Sequence, residues 1–241
     1  MSSRRARARR HKNTNGLLLA GRLAAVLAAL LIIVMTAGVA SGYAIFESWL
    51  EELPDYESPE AFEVAQATKV YSADGVLLAR LYLENRTVVP LSKISTDLAD
   101  AIVAVEDERF YEHHGVDYPG LARAAVVDIM AGAAEEGAST ITQQYVDNTL
   151  LINERMDRTF RYKAREMFLA TQLEKRKSKQ EILELYLNTV YFGEGAYGAQ
   201  AAAEAYFATD AISLTLPQAA MIAGLAQAPS RLSPYDNPEG A

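Results

Sequence analysis

The sequence predicts a mainly α-helical domain with a short β-hairpin, preceded by one transmembrane helix. Three observations predict it: an uncharged run over residues 23–46, an Asp-Gly turn signal, and helical apolar spacing after Pro90. The chain has 241 residues. About 195 of them follow the apolar run, which is enough for one domain with a hydrophobic core.

The N-terminal segment predicts a membrane anchor. Seven of the 23 Lys and Arg residues lie before Leu23, and no Asp or Glu lies there. The rest of the chain contains the other 16 basic residues and all 31 acidic residues. About 20 apolar residues suffice for a helix to cross the hydrocarbon core, and basic flanks stay cytoplasmic. We therefore predict a cytoplasmic tail at 1–22, a transmembrane segment at 23–46 and an extracytoplasmic domain. A basic tail also fits nucleic-acid binding, but the apolar run directly after it favours the membrane.

A cleaved signal peptide is the alternative interpretation of this segment. The small residues at 37–42 are compatible with a cleavage site. The apolar region of a signal peptide usually spans about 7–15 residues, so the longer run favours an uncleaved anchor. The chain contains no cysteine, which excludes disulfide bonds and leaves the redox compartment unreadable.

Residues 47–67 are acidic and polar and contain Pro54 and Pro59. They are predicted to connect the anchor to a domain spanning 68–241. Asp74-Gly75 lies between two apolar, β-prone runs, the second ending at Tyr82, which predicts a hairpin at the entrance of that domain.

Helical spacing then continues to the end of the chain. Ser95 is expected to cap a helix that buries Leu98, Ile102 and Val105. A second helix, at 118–130, is expected to turn four apolar residues inward: Leu121, Ala125, Val126 and Ile129.

Five further helices are predicted. They cover 139–150 with Ser139 as cap, 157–176, a segment opening at Ser178, 196–207 and 216–226. Glu181 occupies the capping-box position after Ser178, with Ile182, Leu185 and Leu187 inward. Ser213 or Thr215 is expected to cap the last helix, which has Pro217 in its first turn.

Residues 105–115 carry the first candidate chemistry, because an apolar helix runs there into acids, aromatics and two histidines. A carboxylate at a helix C-terminus faces the negative end of the dipole, which raises its pKa and suits a general base. A solvated helix end with local salt bridges is the alternative. His113 and His114 are adjacent and point to different sides of the backbone, so capping or core hydrogen bonding is predicted rather than a metal site.

Residues 137–145 carry the second candidate. Neutral hydrogen-bonding side chains crowd the start of a predicted helix: Ser139, Thr140, Thr142, Gln143 and Gln144. Such groups, together with free helix N-termini, bind sugars and phosphates. Ordinary capping by Ser139 explains one of these residues but not five.

A basic stretch in an otherwise acidic domain is the third candidate. It contains Arg155, Arg158, Arg161, Lys163 and Arg165, with Glu166 among them. Basic residues so clustered can hold a diphosphate. A carboxylate beside them is expected to keep a low pKa, which suits an ionised helper. The alternative is a solvated helix face on which Glu166 and Glu174 are surface acids.

Together these segments resemble glycosyltransferase family 51, the peptidoglycan polymerase domain of class A penicillin-binding proteins and monofunctional glycosyltransferases. The family motif Glu-Asp-x-x-Phe-x-x-His-x-Gly matches residues 106–115, and Gly-x-Ser-Thr-Ile-Thr-Gln-Gln matches 137–144. The third motif matches at Lys163, Glu166, Ala170, Leu173 and Glu174, and the last two resemble 182–198 and 214–238. Five motifs in the family's order, over roughly residues 68–240, are very specific.

Two positions depart from the family pattern. Tyr162 stands where the third motif has Arg, with Arg161 one residue earlier as a substitute. Asp147 precedes Asn148 where the second motif usually reads Lys-Asn, and that Lys is expected to contact diphosphate. The exchange adds a negative charge. It predicts weaker donor binding, or another cation or a metal ion in that role.

The resemblance implies a lysozyme-like helical lobe beside a small membrane-associated lobe. Glu106 would be the general base that deprotonates the 4-hydroxyl of the incoming lipid II, which attacks C1 of the growing chain. Undecaprenyl diphosphate would leave with inversion to a β-1,4 product. Glu166, with Lys163 and Arg161, would serve the leaving group.

The remaining site residues follow from the same resemblance. Asp107 and His113 would hold the geometry of the first motif at the substrate site. The donor site would be lined by Ser139, Thr140, Thr142, Gln143, Gln144 and Asn148.

The implied partners are lipid II, the growing lipid-linked glycan and the membrane, without nucleic acid, and cell-wall synthesis or division proteins beyond these. No cofactor and no protein metal site are required, although a divalent cation, Mg²⁺ or Mn²⁺, is compatible with a diphosphate substrate. An exposed apolar patch dipping into the membrane is also expected, with Phe192 and the stretch before Glu106 as candidates.

Two other functions remain open. A glycan-cleaving enzyme shares a lysozyme-like lobe, but it has no diphosphate for the basic residues to hold. A catalytically weak, membrane-anchored scaffold that binds lipid II is favoured only by Asp147. No Ser-x-x-Lys followed by Lys-Thr-Gly occurs, so no transpeptidase chemistry is expected in this chain. The closing residues 237–241 resemble mid-domain sequence, so a monofunctional enzyme and a fragment of a bifunctional protein remain alternatives.

Overall fold

The structure is a computed structural model that describes residues 2–62, 68–81, 84–131, 137–156 and 159–239. It divides into two compact units, Met1–Glu51 and Glu52–Ala241. The first unit consists mainly of one helix, α1 (Ser2–Trp49). Its segment Leu19–Trp49 is long and apolar enough to cross a membrane. Residues 47–49, predicted as the start of the connector, belong to this helix.

The second unit begins with the connector and the predicted hairpin. Strand β1 (Thr68–Tyr71) pairs antiparallel with β2 (Leu77–Leu81) around the turn at Asp74-Gly75. Gly75 has φ 85°, a left-handed conformation that glycine adopts without strain. A second small sheet joins β3 (Asn85–Arg86) in parallel to β4 (Ala196–Tyr197). The hairpin prediction is confirmed, while Tyr82 lies outside the described residues.

Helices make up the rest of this unit. They are α2 (Thr96–Glu106), α3 (Tyr118–Ala131), α4 (Ile141–Asn148), α5 (Phe160–Glu174), α6 (Lys179–Leu187), α7 (Ala199–Phe207) and α8 (Leu216–Gln227). Short 3₁₀ turns lie at Pro59–Phe62, Leu91–Lys93, Ile152–Glu154 and Ala211–Ser213. The prediction of a mainly helical fold with one apolar N-terminal helix is confirmed.

The hydrophobic core is built around α4, which packs against both α5 and α6, while α2 packs against α8. Fully buried side chains of these helices include Leu98, Ile102, Ile141, Tyr145, Leu169, Leu173, Ile182, Tyr186 and Leu187. Burial of each large apolar side chain stabilises the fold by about 1.5–3 kcal/mol. The core therefore fixes α4 and α5 rigidly, and these two helices carry most of the candidate site residues.

The connector packs onto the far end of this core. The Arg165 guanidinium donates from Nη2 to the Glu52 carbonyl oxygen at 2.8 Å, and the Tyr145 hydroxyl donates to the Phe62 carbonyl oxygen at 3.2 Å. The Tyr56 ring meets the Phe168 ring edge-on, with centroids 6.1 Å apart. Residues 63–67, the end of the predicted connector, lie outside the described residues.

The helix caps differ from prediction at two positions. Thr140, not Ser139, caps α4: its Oγ1 accepts a hydrogen bond from the Gln143 backbone N–H at 3.1 Å, and Gln143 Oε1 accepts from the Thr140 N–H at 3.1 Å. This capping box starts the helix two residues later than expected. Ser95 precedes α2, but its hydroxyl donates to the Leu214 carbonyl oxygen instead of capping.

Other caps match the sequence pattern. Ser178 and Glu181 form the predicted capping box of α6. Thr215, rather than Ser213, forms the box that opens α8, with Gln218 as its partner. Helix α5 begins at Phe160 after a Thr159 cap, and the start predicted at residue 157 lies outside the described residues.

The predicted inward face of α3 is wrong. Ala125 and Val126 are exposed, and Ile129 is 81% exposed, whereas the buried residues of α3 are Gly120 and Ala124. Leu121 and Val105, also predicted inward, are exposed as well, and Leu185 of α6 is only partly buried. Apolar spacing identifies an apolar face, but it does not say whether another element covers that face.

Candidate active site

Two adjoining cavities lie against α2, α4 and α5. The larger, of about 710 Å³, contains the Glu106 carboxylate in its wall, and the smaller, of about 560 Å³, contains Glu166. We call them the Glu106 cavity and the Glu166 cavity. Ser139, Gln144 and Asp147 line both. Two predicted catalytic carboxylates therefore face neighbouring parts of one surface groove.

Glu106 is the last residue of α2, half-buried in the wall of its cavity. Its Oε2 accepts a hydrogen bond from Gln144 Nε2 at 2.6 Å, while Oε1 is buried and accepts none from the described residues. Burial raises the pKa of Glu106; the Gln144 hydrogen bond opposes this and the Asp107 charge adds to it. The raised pKa agrees with prediction, but burial is the main cause. A carboxylate with a raised pKa is suited to accept a proton.

Gln144 is itself held in place from α6. Its Oε1 accepts a hydrogen bond from the fully buried Tyr186 hydroxyl at 3.1 Å. Because the amide oxygen is occupied in this way, the amide nitrogen is left to face Glu106. Tyr186 is thus a residue of the site that sequence reasoning missed, since nothing in its helical spacing separates it from an ordinary core tyrosine.

Asp107 joins the end of α2 to the start of α4. Both of its carboxylate oxygens lie 3.0 Å from His113 Nε2, and Oδ2 also accepts from the Ile141 backbone N–H at 3.0 Å. Asp107 lines the Glu106 cavity, whereas His113 is buried and lines neither part of the groove. These contacts agree with a geometric role for both residues. His114 is exposed.

Gly115 brings the first motif against α5. Its φ is 90°, and a Cβ added there would lie 2.8 Å from the backbone of Ala170. Its carbonyl oxygen accepts a hydrogen bond from Thr140 Oγ1 at 2.7 Å. Only glycine fits this close approach, which lets Thr140 tie the first motif to the second.

Glu166 projects from α5 into the second cavity. Its Oε1 accepts hydrogen bonds from Lys163 Nζ at 2.5 Å and from Gln143 Nε2 at 2.8 Å. Lys163 Nζ also donates to Ser139 Oγ at 3.0 Å. Burial raises the pKa of Glu166, the charge and hydrogen bond of Lys163 oppose it, and the Asp147 charge raises it further. The predicted low pKa is therefore wrong, because desolvation outweighs the neighbouring cation.

Besides His113, two residues predicted to bind substrate lie outside both cavities. Thr142 is fully buried and its hydroxyl donates to Glu174 Oε1 at 2.6 Å, where Lys179 Nζ also lies at 2.8 Å. Thr142 and Glu174 thus form a buried polar network that fastens α4 to α5, and Glu174 is not a surface acid. Arg161 is exposed and lines neither cavity.

The remaining predicted residues border the groove. Asn148 lines the Glu106 cavity, and Tyr162, which stands at the family's Arg position, is buried and lines the Glu166 cavity. Arg158 lies outside the described residues.

Sequence reasoning missed Arg109 and Asp117, which form a close ion pair in the wall of the Glu106 cavity. Their separation of eight residues across a loop gives no periodic signal.

Asp147 is paired with a cation from the following loop. Its Oδ2 lies 3.2 Å from Arg155 Nε, and Arg155 also lines the Glu106 cavity. In the described part of the chain, no three His, Cys, Asp or Glu side chains converge as a metal site would require.

Residues 74–241 match the family model for the transglycosylase domain. This chain belongs to the transglycosylase family. The resemblance to glycosyltransferase family 51 is thereby confirmed. The match begins within the hairpin and includes both cavities, so the Glu106–Gln144 and Lys163–Glu166 contacts belong to the transglycosylase domain.

Curated relatives of this transglycosylase domain are penicillin-binding proteins. The chain is 45% identical over 183 residues to penicillin-binding protein 2D of Bacillus subtilis (strain 168), covering 76% of this chain and 26% of that protein. It is 44% identical over 197 residues to penicillin-binding protein 1A of Escherichia coli (strain K12), covering 82% and 23%. The chain therefore spans about a quarter of the length of these relatives.

Among solved structures, penicillin-binding protein 1A from Haemophilus influenzae is 26% identical, covering 72% of this chain and 16% of that chain with a TM-score of 0.35. Family membership rests on the sequence matches.

Proposed function

We propose that this chain is a peptidoglycan glycosyltransferase that polymerises lipid II into β-1,4-linked glycan. The observation that carries the proposal is the Glu106 carboxylate, with its raised pKa and one unengaged oxygen, in the same groove as the Lys163–Glu166 pair. A base and a cation in neighbouring cavities are the two groups that a displacement of diphosphate needs. Membership of the transglycosylase family supports the same reaction class.

Glu106 acts as the base in the proposed step. Its carboxylate takes the proton from the 4-hydroxyl of the N-acetylglucosamine of lipid II, and the hydroxyl oxygen forms a bond to C1 of N-acetylmuramic acid on the growing chain. The bond from C1 to the diphosphate oxygen breaks, and undecaprenyl diphosphate leaves with the electron pair. Attack from the face opposite the leaving group converts the α-linked donor into a β-linked product.

Lys163 stabilises the leaving group. An ammonium has three N–H donors, and Glu166 and Ser139 occupy two of them. The third is left for a phosphate oxygen. Glu166 keeps the ammonium in the cavity, while Gln143 holds the Glu166 carboxylate from α4.

The described residues of the groove do not offer a donor set for a resident Mg²⁺ or Mn²⁺ ion. The carboxylates between the cavities are already paired, Glu166 with Lys163 and Asp147 with Arg155. We therefore assign no step to a protein-bound metal. A divalent ion that affects turnover would arrive on the diphosphate of the substrate.

Two features support a membrane-bound substrate. Helix α1 contains a span of membrane length, and we propose that its basic end stays in the cytoplasm with the transglycosylase domain outside. The second unit also exposes large apolar side chains: Val126, Ile129, Met130, Met156 and Phe160. We propose that these exposed side chains enter the lipid headgroups. Phe192 has no such role, because its side chain is fully buried.

The test is polymerisation of purified lipid II by the detergent-solubilised chain, followed by digestion of the product with a muramidase. Muramidase-sensitive polymer together with released undecaprenyl diphosphate supports the proposal. Lipid II that is bound but not consumed would favour the scaffold, and cleavage of preformed glycan would favour a lytic enzyme.

A further inference from the structure

The Lys179 ammonium contacts two side chains that belong to other segments of the domain. Its Nζ lies 2.8 Å from Oε1 of Glu174, the last residue of α5, and 4.3 Å from the centre of the fully buried Phe110 ring. Glu174 Oε1 also accepts a hydrogen bond from the Thr142 hydroxyl at 2.6 Å. We call these four residues, Phe110, Thr142, Glu174 and Lys179, the Lys179 cluster. It lies outside both cavities of the groove.

The position of the ion pair in this cluster is unfavourable for both of its charges. Lys179 is the first residue of α6 and Glu174 is the last residue of α5, so each charge faces the helix end of its own sign. The two side chains are only 16% and 3% exposed, and taking two charges out of water can cost more free energy than their attraction returns. Stability alone therefore does not explain the pair. Groups placed against local preference are expected where function requires a fixed geometry.

The Lys179 cluster joins the two segments that orient the predicted base. Its aromatic ring belongs to the loop that directly follows α2, the helix that ends at Glu106. Its hydroxyl belongs to Thr142, the residue of α4 that precedes Gln143 and Gln144. Gln143 Nε2 donates to Glu166 at 2.8 Å, and Gln144 Nε2 donates to Glu106 at 2.6 Å. A movement of α4 relative to α2 would therefore disturb the contacts of both carboxylates.

We propose that Lys179 is a positioning residue for glycosyl transfer, which acts through Glu174 and Thr142 by holding α4 where Gln144 reaches Glu106. This inference rests on the proposed function, which supplies the reaction. The ammonium holds the loop after α2 through its contact with the aromatic ring. It holds α4 through the carboxylate that the Thr142 hydroxyl shares. One charge thus fixes the relative position of the two segments.

The kinetics of lipid II polymerisation by the full chain in detergent test this proposal. Lys179→Met keeps an unbranched side chain but loses the charge, so kcat should fall about 10-fold while KM changes less than about 3-fold. Lys179→Arg keeps a cation over the ring and should stay within about 3-fold of wild type. Lys175→Met, at an exposed cation that lines neither cavity, is the matched control and should behave as wild type. A wild-type kcat in folded Lys179→Met, or equal losses in Lys179→Met and Lys179→Arg, would overturn the proposal.

A double-mutant cycle tests whether Lys179 acts through the shared carboxylate. Thr142→Val keeps the shape of the side chain and removes its hydroxyl, and it should lower kcat about 3-fold. The double variant should be no slower than Lys179→Met alone, because both changes act through Glu174. Additive losses would show that the two residues act independently and would contradict the proposal. If Lys179→Met did not fold, Thr142→Val would decide the question by itself, and a wild-type kcat there would refute the role of the cluster.

A measurement without substrate separates this inference from the proposed function. The Gln144 hydrogen bond lowers the pKa of Glu106, so loosening that contact should raise it. An NMR titration of the glutamate carboxyl carbons, with Glu106 assigned through Glu106→Gln, should give Glu106 a higher midpoint in Lys179→Met than in wild type. Equal midpoints in the two proteins would refute the positioning role. A raised midpoint in Lys179→Met, combined with a wild type that does not polymerise lipid II, would support the coupling and count against the proposed function alone.

Discussion

Gln144 Nε2 donates a 2.6 Å hydrogen bond to Glu106 Oε2, which links α4 to the last residue of α2. The Tyr186 hydroxyl fixes the other end of the same amide. A buried tyrosine thereby orients a glutamine, and the glutamine orients the base, whose opposite carboxylate oxygen accepts no hydrogen bond from the described residues.

Removing this support should change how activity depends on pH. The Gln144 hydrogen bond lowers the pKa of Glu106. In Gln144→Ala that pKa should rise, so the acidic limb of the kcat/KM profile should shift to higher pH, and kcat should fall about 10- to 100-fold. Tyr186→Phe should produce a smaller shift of the same sign. If the acidic limb of the kcat/KM profile did not shift in Gln144→Ala, the Gln144–Glu106 hydrogen bond would not control the pKa of Glu106.

Replacing Glu106 should stabilise the fold at neutral pH. Burial raises the pKa of the folded carboxyl above its unfolded value, so the protonated form favours folding. That contribution is complete below the unfolded pKa and is lost as the pH rises through the folded pKa. Glu106→Gln should therefore raise the denaturation midpoint at pH 7, with the difference vanishing under acidic conditions. A denaturation midpoint of Glu106→Gln below that of wild type at pH 7 would contradict a cost of burying the charged Glu106 carboxylate.

Gly115 should tolerate no side chain. With φ at 90° and the Ala170 backbone 2.8 Å from an added Cβ, Gly115→Ala should cost roughly 2 kcal/mol or more of unfolding free energy. Gly224→Ala is the control, since nothing lies within 4 Å of a Cβ there. It should be neutral or stabilising by about 0.5–1 kcal/mol, because alanine is the better helix former. Equal urea midpoints of unfolding for Gly115→Ala and Gly224→Ala would contradict a steric clash between an added Cβ and the Ala170 backbone.

The exposed apolar surface should matter only in a bilayer. Ile129 and Met130 are 81% and 83% exposed, so Ile129→Asp with Met130→Asp should leave thermal stability nearly unchanged. Turnover of lipid II in liposomes should fall several-fold, because membrane association loses apolar contact area. Leu216→Asp, an exposed apolar residue of α8, serves as the control. Equal liposome activities in all three proteins would exclude a membrane role for α3.

Local signals predicted much of this molecule. The Asp-Gly turn specified the hairpin, and the Ser178–Glu181 box specified the start of α6, because both features depend on residues close in sequence. Motif spacing also identified the helical segments that carry Glu106, Gln144 and Lys163. These residues line the groove as the family pattern led us to expect.

Properties that depend on which distant elements pack over a residue could not be predicted from the sequence. The pKa of Glu166 follows from burial under α4, and the inward position of Thr142 follows from Glu174, which lies 32 residues away. The apolar face of α3 looked like core because its spacing is that of a core helix. The Asp147–Arg155 contact depends on the path of an irregular loop, which residue types alone do not determine.

The central claim is that Glu106 is the base of a glycan polymerase. The measurement is lipid II polymerisation by wild type, Glu106→Gln and Glu112→Gln, the last an exposed acid of the same segment that lines neither cavity. We expect polymer from wild type and Glu112→Gln, and turnover lowered at least about 10²- to 10⁴-fold in a folded Glu106→Gln that still binds lipid II. Polymerisation by Glu106→Gln at a rate near wild type would contradict the account.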